Sequence, residues 1–313
     1  MIPPCAAISC LDSPGQVVAL LAMGLAVGVL SGLFGVGGGF MIVPVLAVLF
    51  NDIGYTVAKG SSLACILGTG ALGTMRHLRL GNVAVKTTLI IAGGAMSGTV
   101  LGAMLNGYLE QGVCGGDEVL FKLVMHPMYI ILLLVAAWIV LRGSDDVRQH
   151  DALLQRLPLG PRIRILRTGQ EGVSLPGLVY MGVAIGLLTG LLGVGGGVLM
   201  MPLLLSVVGM NPKQAVGTSL GIVLFASAVG TVQYHVAGGV DWVVAISILL
   251  GSTIGVQFGA WLCVKLRAGS IRRYFAILVL AVVVMIANDL VHKIREYRTP
   301  SQAPSPTPAH PAQ

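Results

Sequence analysis

Two glycine runs are the residues of this sequence best suited to hold a ligand. Gly35–Gly39 reads Gly-Val-Gly-Gly-Gly, and the same letters return at Gly193–Gly197. Each glycine costs an α-helix about 1 kcal/mol relative to alanine, so three in succession predict that the helix breaks. The helix that starts after such a break presents unpaired N–H groups, which bind anions. The predicted anion-binding residues are Gly37, Gly38, Gly39, Gly195, Gly196 and Gly197.

Hydroxyl side chains follow each glycine run in a second repeated block. Ala58–Leu63 returns as Ala215–Leu220, and the hydroxyl pairs in these blocks supply the candidates Ser62, Ser219 and Thr218. A hydroxyl can donate a hydrogen bond to an oxyanion, although serine and threonine in helices often bond to their own backbone. We predict that these three residues contact the substrate. The alternative is that their hydroxyls only form hydrogen bonds with the backbone of their own helices.

Ionisable side chains are sparse in the apolar segments, which limits the available chemistry. Lys59 would either extend to a polar boundary or attract an anion, and extension is the preferred interpretation. His77 lies in a basic loop and is interpreted as a surface residue rather than a pH-sensitive gate. The sequence offers no catalytic pair, metal-ligand cluster or cofactor motif, so we predict a protein that is not an enzyme and holds no metal or cofactor.

The chain that carries these residues has the composition of a membrane protein. Of its 313 residues, 55% are apolar and 10% are charged, and the mean hydropathy is +0.90. Soluble domains carry about 25% charged residues, so this chain has too few to cover a water-facing surface. Its net charge of +7 comes from basic residues between apolar segments, which is typical of membrane orientation signals rather than of a nucleic-acid-binding face.

The apolar segments fall into two sets of five. They lie at about 17–34, 39–50, 56–75, 84–106 and 127–141, and then at 175–192, 197–209, 214–234, 242–263 and 274–291. A helix needs about 20 residues to cross a membrane, so the second segment of each set is predicted to be a half-helix. The stripes Gly94, Gly98, Gly102 and Gly251, Gly255, Gly259 are interpreted as helix-packing surfaces.

The basic residues predict that the second half is inverted relative to the first, because lysine and arginine favour the cytoplasmic side. One loop carries Arg76, Arg79 and Lys86, whereas its counterpart carries Gln233, Val236 and Val243. In the following loop the basic residues are in the second copy instead of the first, and they are Lys265, Arg267, Arg272 and Arg273. The predicted fold is therefore an all-α polytopic membrane protein with two inverted-topology repeats of about five hydrophobic segments each and glycine-broken helices.

The predicted organisation has five parts. They are a periplasmic N-terminal segment (1–16), a first membrane repeat (17–141), a cytoplasmic basic linker (142–173), a second membrane repeat (174–292) and a disordered tail (293–313). Six arginines between Arg142 and Thr168 predict that the linker is cytoplasmic. Basic residues also follow the last segment, so the side of the C-terminus stays open.

The five cysteines show no metal-ligand spacing. Cys65 and Cys263 lie inside apolar segments and are interpreted as small packing residues. A disulfide among Cys5, Cys10 and Cys114 is left open, because these three share a predicted oxidising side of the membrane.

The sequence resembles the sulfite exporter TauE/SafE family. The resemblance rests on the paired glycine runs with Pro44 and Pro202 after them, on the Thr218–Leu220 block and on the Gly81–Val83 turn, and it covers both halves. It implies a multi-pass protein of the bacterial inner membrane that moves small sulfur-containing anions, such as sulfite or organosulfonates, usually outward. Lys59 in the first half corresponds to Val216 in the second, so the two half-sites are chemically unequal.

Together these features predict a secondary transporter that exports small anions by alternating access. The expected partners are the lipid bilayer and a small sulfur-containing anion; no nucleic acid is expected, while proton coupling and a homodimer stay open. The alternative is an anion channel, or a permease for another small anionic metabolite. A membrane enzyme would need reactive groups that the sequence lacks, and a scaffold would have no use for two glycine breaks.

Overall fold

The computed structural model describes residues 14–49, 53–113, 115, 118–142, 162–165, 170–266 and 268–298. The helices within these ranges are α1 (Pro14–Phe34), α2 (Gly39–Leu49), α3 (Tyr55–Arg79), α4 (Val85–Tyr108), α5 (Glu118–Arg142), α6 (Leu175–Leu192), α7 (Gly197–Ser206), α8 (Pro212–Val236), α9 (Trp242–Lys265) and α10 (Ala268–Arg298). A π-helical turn, Leu109–Val113, extends α4. The antiparallel strands β1 (Arg162–Ile165) and β2 (Gln170–Ser174) form a short ribbon in the linker, which the sequence analysis did not predict.

Both glycine runs interrupt the helices, as predicted. α1 ends at Phe34 and α2 begins at Gly39, while α6 ends at Leu192 and α7 begins at Gly197. α2 contains 11 residues and α7 contains 10, well short of the roughly 20 needed to cross a membrane. The two predicted half-helices are therefore confirmed.

Seven of the described helices are long and apolar enough to cross a membrane, namely α1, α4, α5, α6, α8, α9 and α10. α3 has 25 residues but is more polar, because it carries Lys59, several hydroxyls and basic residues in its last turn. Most of its hydroxyls are buried inside the bundle rather than exposed to lipid. The chain is accordingly a multi-pass helical membrane protein.

The glycine stripes bring two pairs of long helices into backbone contact. Gly94, Gly98 and Gly102 of α4 lie against Val179, Val183 and Leu187 of α6, and Gly251, Gly255 and Gly259 of α9 lie against Leu21, Leu25 and Val29 of α1. An added Cβ at any of these glycines would overlap a backbone carbonyl oxygen. Residue numbers rise together along both contacts, so each pair is parallel. The prediction that these glycines are packing residues is confirmed.

α3 and α8 cross through the middle of the bundle in opposite directions. Gly73 of α3 contacts Leu220 near the start of α8, whereas Gly60 contacts Gly239 just beyond the end of α8. α5 and α10 pack together on the outside, and Phe275 of α10 meets Phe34 edge to face at 5.6 Å between ring centroids. The two central helices therefore lie where both glycine loops can reach them.

Several smaller predictions concern the ends of helices and the cysteines. α10 continues to Arg298, beyond the predicted end of the second repeat at 292, and the rest of the predicted tail lies outside the described residues. Cys65 and Cys263 are buried free thiols, which confirms that they pack in the interior. Cys5, Cys10 and Cys114 lie outside the described residues, so the disulfide stays an open question.

Candidate functional site

Each glycine loop adopts a backbone that only glycine tolerates easily. In the first loop, Gly35, Gly37 and Gly38 have φ angles of 73°, 79° and 87°. In the second loop, Gly193, Gly195 and Gly196 have φ angles of 70°, 75° and 68°. Left-handed backbone is unfavourable for residues with a Cβ. The repeated letters therefore specify the same turn twice.

The two glycine loops touch each other in the interior of the bundle. A Cβ added to Gly39 would lie 2.6 Å from the carbonyl oxygen of Val194. In the reciprocal contact, a Cβ added to Gly197 would overlap the carbonyl of Val36. Both contacts join the first residue of one half-helix to the loop of the other half. The structure thus brings Gly37, Gly39, Gly195 and Gly197 together, whereas Gly38 packs against Val27 of α1 and Gly196 packs against Thr189 and Ile185 of α6.

The starts of both half-helices face this contact with unpaired backbone groups. The first helical hydrogen bond of α2 joins Met41 N to Gly38 O at 3.0 Å. In α7, Met200 N donates to Gly196 O at 3.1 Å, and the corresponding bond in α2 joins Ile42 N to Gly38 O at 3.2 Å. The N–H groups that precede these bonds have no carbonyl acceptor within their own helix, and they carry the positive end of the helix dipole. This arrangement favours an anion over a cation.

The predicted serines form hydrogen bonds with the glycine loops and do not point into the space between the loops. Ser219 donates a hydrogen bond to the carbonyl oxygen of Gly35 at 2.7 Å, and Ser62 donates one to that of Gly193 at 3.2 Å. Each serine thus braces the loop of the opposite repeat. Thr218 accepts a hydrogen bond from the backbone N–H of Ala84 at 3.1 Å, just before α4. Positioning is therefore the role these hydroxyls have in this conformation, and their contact with substrate stays a prediction.

Two apolar side chains fill the space between the glycine loops. Ile66 of α3 and Val223 of α8 are fully buried, at 0% and 1% exposure. A Cβ on Gly37 would lie 2.8 Å from Val223 Cγ1 and 2.9 Å from Ile66 Cγ2, and Gly195 contacts the same two side chains. Thr69 donates a hydrogen bond to Gly37 O at 3.3 Å. The site is consequently closed by this pair, which we call the Ile66–Val223 plug.

Lys59 does not extend to a polar boundary, and that prediction is wrong. Its side chain has 0% exposure, and its ammonium group donates to Asn106 Oδ1 and, at 3.2 Å, to the carbonyl of Leu191. The ammonium also lies 4.9 Å from the ring centroid of Tyr55 and 4.5 Å from that of Phe121. Helix packing directs the side chain inward, because its Cβ contacts the second glycine loop. The ionisable side chain of Lys59, which has no counterpart in the other half, therefore lies beside one loop only.

His77 is also buried, so its interpretation as a surface residue is wrong. His77 Nε2 lies 3.2 Å from the carbonyl oxygen of Gly32 in α1. At the corresponding position of the second half, the hydroxyl of Tyr234 donates to the carbonyl oxygen of Gly190 at 2.7 Å. Both side chains lie near the end of a central helix, where that helix packs against the one leading into a glycine loop. The basic residues beside His77 led to the prediction of a surface position, and nothing in the sequence indicated this contact.

Two further hydroxyls have no acceptor in the described part of the chain. Thr74 Oγ1 and Thr231 Oγ1 are buried and make no hydrogen bond there. These threonines occupy corresponding positions on α3 and α8. A buried hydroxyl without a partner loses roughly 1–3 kcal/mol of hydrogen-bond energy, so such groups often mark a binding function.

A comparison of the whole chain with known protein families agrees with this geometry. Residues 20–286 match the sulfite exporter TauE/SafE family. The chain belongs to this family. The matched range contains both glycine loops, both central helices and the flanking pairs of long helices. The TauE/SafE resemblance noted in the sequence is therefore confirmed.

TauE/SafE relatives align with most of this chain. The probable membrane transporter protein YunE of Bacillus subtilis (strain 168) is 28% identical over 291 residues, which cover 88% of this chain and 97% of the relative. YjnA of the same strain, also named a probable membrane transporter protein, is 29% identical over 246 residues, covering 78% and 89%. A probable membrane transporter protein of Methanocaldococcus jannaschii is 26% identical over 257 residues, covering 79% and 85%. No solved structure matches the chain.

Sequence reasoning missed at least three residues of this candidate site. Asn106 is a lone amide at the end of an apolar segment, and this placement was a readable signal for a buried polar contact. Ile66 and Val223 follow Ser62 and Ser219 at the same offset in the two repeats, but nothing in their types distinguishes them from ordinary core residues. Within the described residues, no cluster of His, Cys, Asp or Glu is suited to a metal ion.

Proposed function

We propose that this TauE/SafE membrane transporter moves small oxyanions of sulfur, such as sulfite or organosulfonates, across the bacterial inner membrane. The observation that carries the proposal is the meeting of two helix N-termini at the contact between Gly39 and the second loop, and between Gly197 and the first. Opposed N-termini attract a small anion from two sides.

The proposed fold consists of two inverted-topology repeats. This proposal is supported by contacts that recur between equivalent positions of the halves. Ser219 bonds to the first loop and Ser62 to the second, and α3 runs antiparallel to its sequence equivalent α8. Inverted repeats commonly form substrate sites at their shared interface, near the centre of the membrane. The first repeat would span 17–141 and the second 174–292, with residues 1–16 periplasmic and 142–173 cytoplasmic.

The proposed mechanism is alternating access around the glycine site. In the present conformation the Ile66–Val223 plug closes the space between the loops. Movement of one repeat relative to the other would separate the two side chains and expose the helix N-termini to one side at a time. The hydrogen bonds from Ser62 to Gly193 and from Ser219 to Gly35 join the two repeats, so that movement would have to break and re-form them.

Outward movement of an anion requires a modest driving force. The membrane potential supplies about 2.3 kcal/mol for each charge moved through 100 mV, and its sign favours the exit of negative charge. Proton coupling is a second source of drive, and Lys59 is a buried ionisable group in contact with the second glycine loop. We therefore propose export with the potential as the main drive and leave the proton as a question for the experiment.

The test is the flux of radiolabelled sulfite in proteoliposomes that contain the purified protein. A Gly38→Leu, Gly196→Leu double variant should lose the flux, because Leu cannot readily adopt the φ angles of these positions. Gly39→Ala is a milder variant that should slow the flux by pressing on the carbonyl of Val194. Gly93→Ala is the matched control, since an added Cβ there has no neighbour within 4 Å.

The outcomes separate the transporter from its alternatives. Saturable flux that is accelerated by unlabelled sulfite on the opposite side would support alternating access. Linear flux without such exchange would indicate an anion channel instead. Flux of small carboxylates or phosphates, but not of sulfite, thiosulfate or methanesulfonate, would contradict the sulfur-anion proposal. It would indicate a permease for another metabolite.

A further inference from the structure

A basic cleft lies on the surface of the bundle, away from the glycine loops. Its volume is about 190 Å³, and its lining combines Leu72, Met75, Arg76 and Arg79 of α3 with Gln257 of α9. Drug-sized ligands occupy roughly 300–1,000 Å³, so this cleft suits one smaller group. Among the described residues, its lining contains two guanidinium groups and one amide but no acidic side chain.

The arginines of this cleft have hydrogen-bond donors that are not used within the described part of the protein. Arg76 Nε is buried and has no hydrogen-bond partner among the described residues. Neither guanidinium forms an ion pair with a carboxylate in that part of the chain. A buried donor without a partner is costly, and arginine presents a planar fork that matches the oxygens of a phosphate or sulfonate. The unfilled bonds therefore point to an oxyanion.

The cleft occurs in one half of the protein only. The residues corresponding to Arg76 and Arg79 are Gln233 and Val236. Basic residues favour the cytoplasmic side, which is where anionic lipid headgroups and free cytoplasmic anions both occur. Met75 is 54% exposed, and Leu72 adds a second apolar side chain to the lining. The cleft thus combines a charged end with an apolar wall.

We propose that Arg76, Arg79 and Gln257 form a binding site for one tetrahedral oxyanion, separate from the transport site between the glycine loops. The guanidinium groups bind the oxygens in a bidentate manner, and the Gln257 amide donates one further hydrogen bond. The oxyanion is supplied either by the phosphate of an anionic phospholipid or by a free anion in the cytoplasm. The chemistry at the arginines is the same in both cases.

The experiment measures binding to the purified full-length protein in a neutral detergent, so it does not depend on transport. One arm titrates short-chain phosphatidylglycerol against phosphatidylcholine. A second arm titrates inorganic phosphate and methanesulfonate against chloride. The Arg76→Gln, Arg79→Gln double variant should weaken binding at least about ten-fold in the arm that binds, because the oxyanion loses both of its charged hydrogen-bond donors.

Matched variants distinguish this site from net charge and from misfolding. Lys86→Gln, Lys265→Gln removes the same charge from two exposed lysines outside the cleft and should leave the affinity unchanged. Arg76→Lys keeps the charge but loses the fork, so it should bind with intermediate affinity even where the double Gln variant is unstable.

Three results would overturn the proposal. The first is that neither phosphatidylglycerol nor the free oxyanions bind more tightly than their controls. The second is that the lysine control loses as much affinity as the arginine variant, which would indicate a general charge effect. The third is that Arg76→Lys binds as tightly as the unaltered protein. Binding of phosphatidylglycerol alone identifies a lipid site, and binding of the free oxyanions alone identifies a site for soluble anions.

Discussion

The surroundings of the two glycine loops agree in their backbone contacts and differ in their charge. Gly35 packs against Val216, and a Cβ there would lie 2.5 Å from the Val216 carbonyl oxygen. Gly193 packs against Lys59 at the matching place, where a Cβ would lie 2.6 Å from the lysine Cβ. Valine ends in methyl groups, whereas the lysine continues to a buried ammonium bonded to Asn106. The duplicated scaffold is therefore shared, while a cation is present on one side only.

This difference separates the features that set the shape of the loops from the ionisable side chain of Lys59 beside the second loop. Loop shape depends on features that both halves repeat, namely the glycine φ angles and the serine braces. Lys59 has 0% exposure and no carboxylate within salt-bridge distance among the described residues. An ionisable group buried in this way within a membrane protein is costly and usually functional. We expect the repeated features to set the shape and stability of the anion site, and the unrepeated Lys59 to have a further effect on transport.

The largest expected effect tests the shared scaffold. Gly39→Val and Gly197→Val should each abolish sulfite flux, because either side chain would collide with the carbonyl of the opposite loop. Such overpacking costs roughly 1–3 kcal/mol or more. Proteoliposome flux and thermal melting would measure both effects, with Gly107→Ala as a control that has open space around it. Loss in one half alone would contradict the equivalence of the loops.

The next largest effect tests the cation. Lys59→Met should lower sulfite flux at least about ten-fold with only a small fall in the melting temperature, because it removes a costly buried ion but leaves the side-chain oxygen of Asn106 without its donor. Val216→Met supplies the matched change in the other half and should affect flux much less. A fall in flux that merely follows a fall in folded protein would show that Lys59 is structural.

A smaller effect concerns the partner of this lysine. Asn106→Leu should destabilise the protein by roughly 1–3 kcal/mol, because the Lys59 ammonium then loses one acceptor inside a buried site. Combining it with Lys59→Met should restore most of that loss, since no buried charge would remain. Thermal melting of the single variants and the double variant provides the comparison. Additive losses would indicate that the two side chains do not depend on each other.

The smallest effect compares the two serine braces. Ser219→Ala and Ser62→Ala should each cost about 1 kcal/mol in stability, because a loop carbonyl loses its donor. Ser219 should cost more, since its hydrogen bond to Gly35 is 2.7 Å long whereas that of Ser62 to Gly193 is 3.2 Å long. Melting of both variants measures the order. The reverse order would mean that hydrogen-bond length does not predict the strength of these braces.

Periodicity and composition were sufficient to predict much of the fold. The helix breaks at Gly35–Gly39 and Gly193–Gly197, the short α2 and α7, and the packing role of Gly98 and Gly255 all depend on local properties. Glycine disfavours helix wherever it occurs in succession, and small residues at every fourth position let helices approach. These statements need no knowledge of what lies on the other side of the bundle.

The candidate site was predicted less completely, and the errors have a common origin. Lys59 and His77 were assigned to polar surroundings because charged and basic residues usually prefer them. Each is instead directed inward by the helix that carries it, toward Leu191 and Gly32 respectively. The direction of a side chain follows from helix rotation, and rotation is set by packing partners far away in the sequence.

Membrane location, membership of the TauE/SafE family and the two helix breaks at repeated glycines can all be read from the order of the residues. These properties follow from apolar content, from residue order and from backbone preferences that act over a few residues. The packing of the bundle was needed to show that the loops touch, that Ile66 and Val223 close the space between them and that Lys59 lies buried beside one of them. Those contacts join residues of different repeats, and close packing in three dimensions selects them.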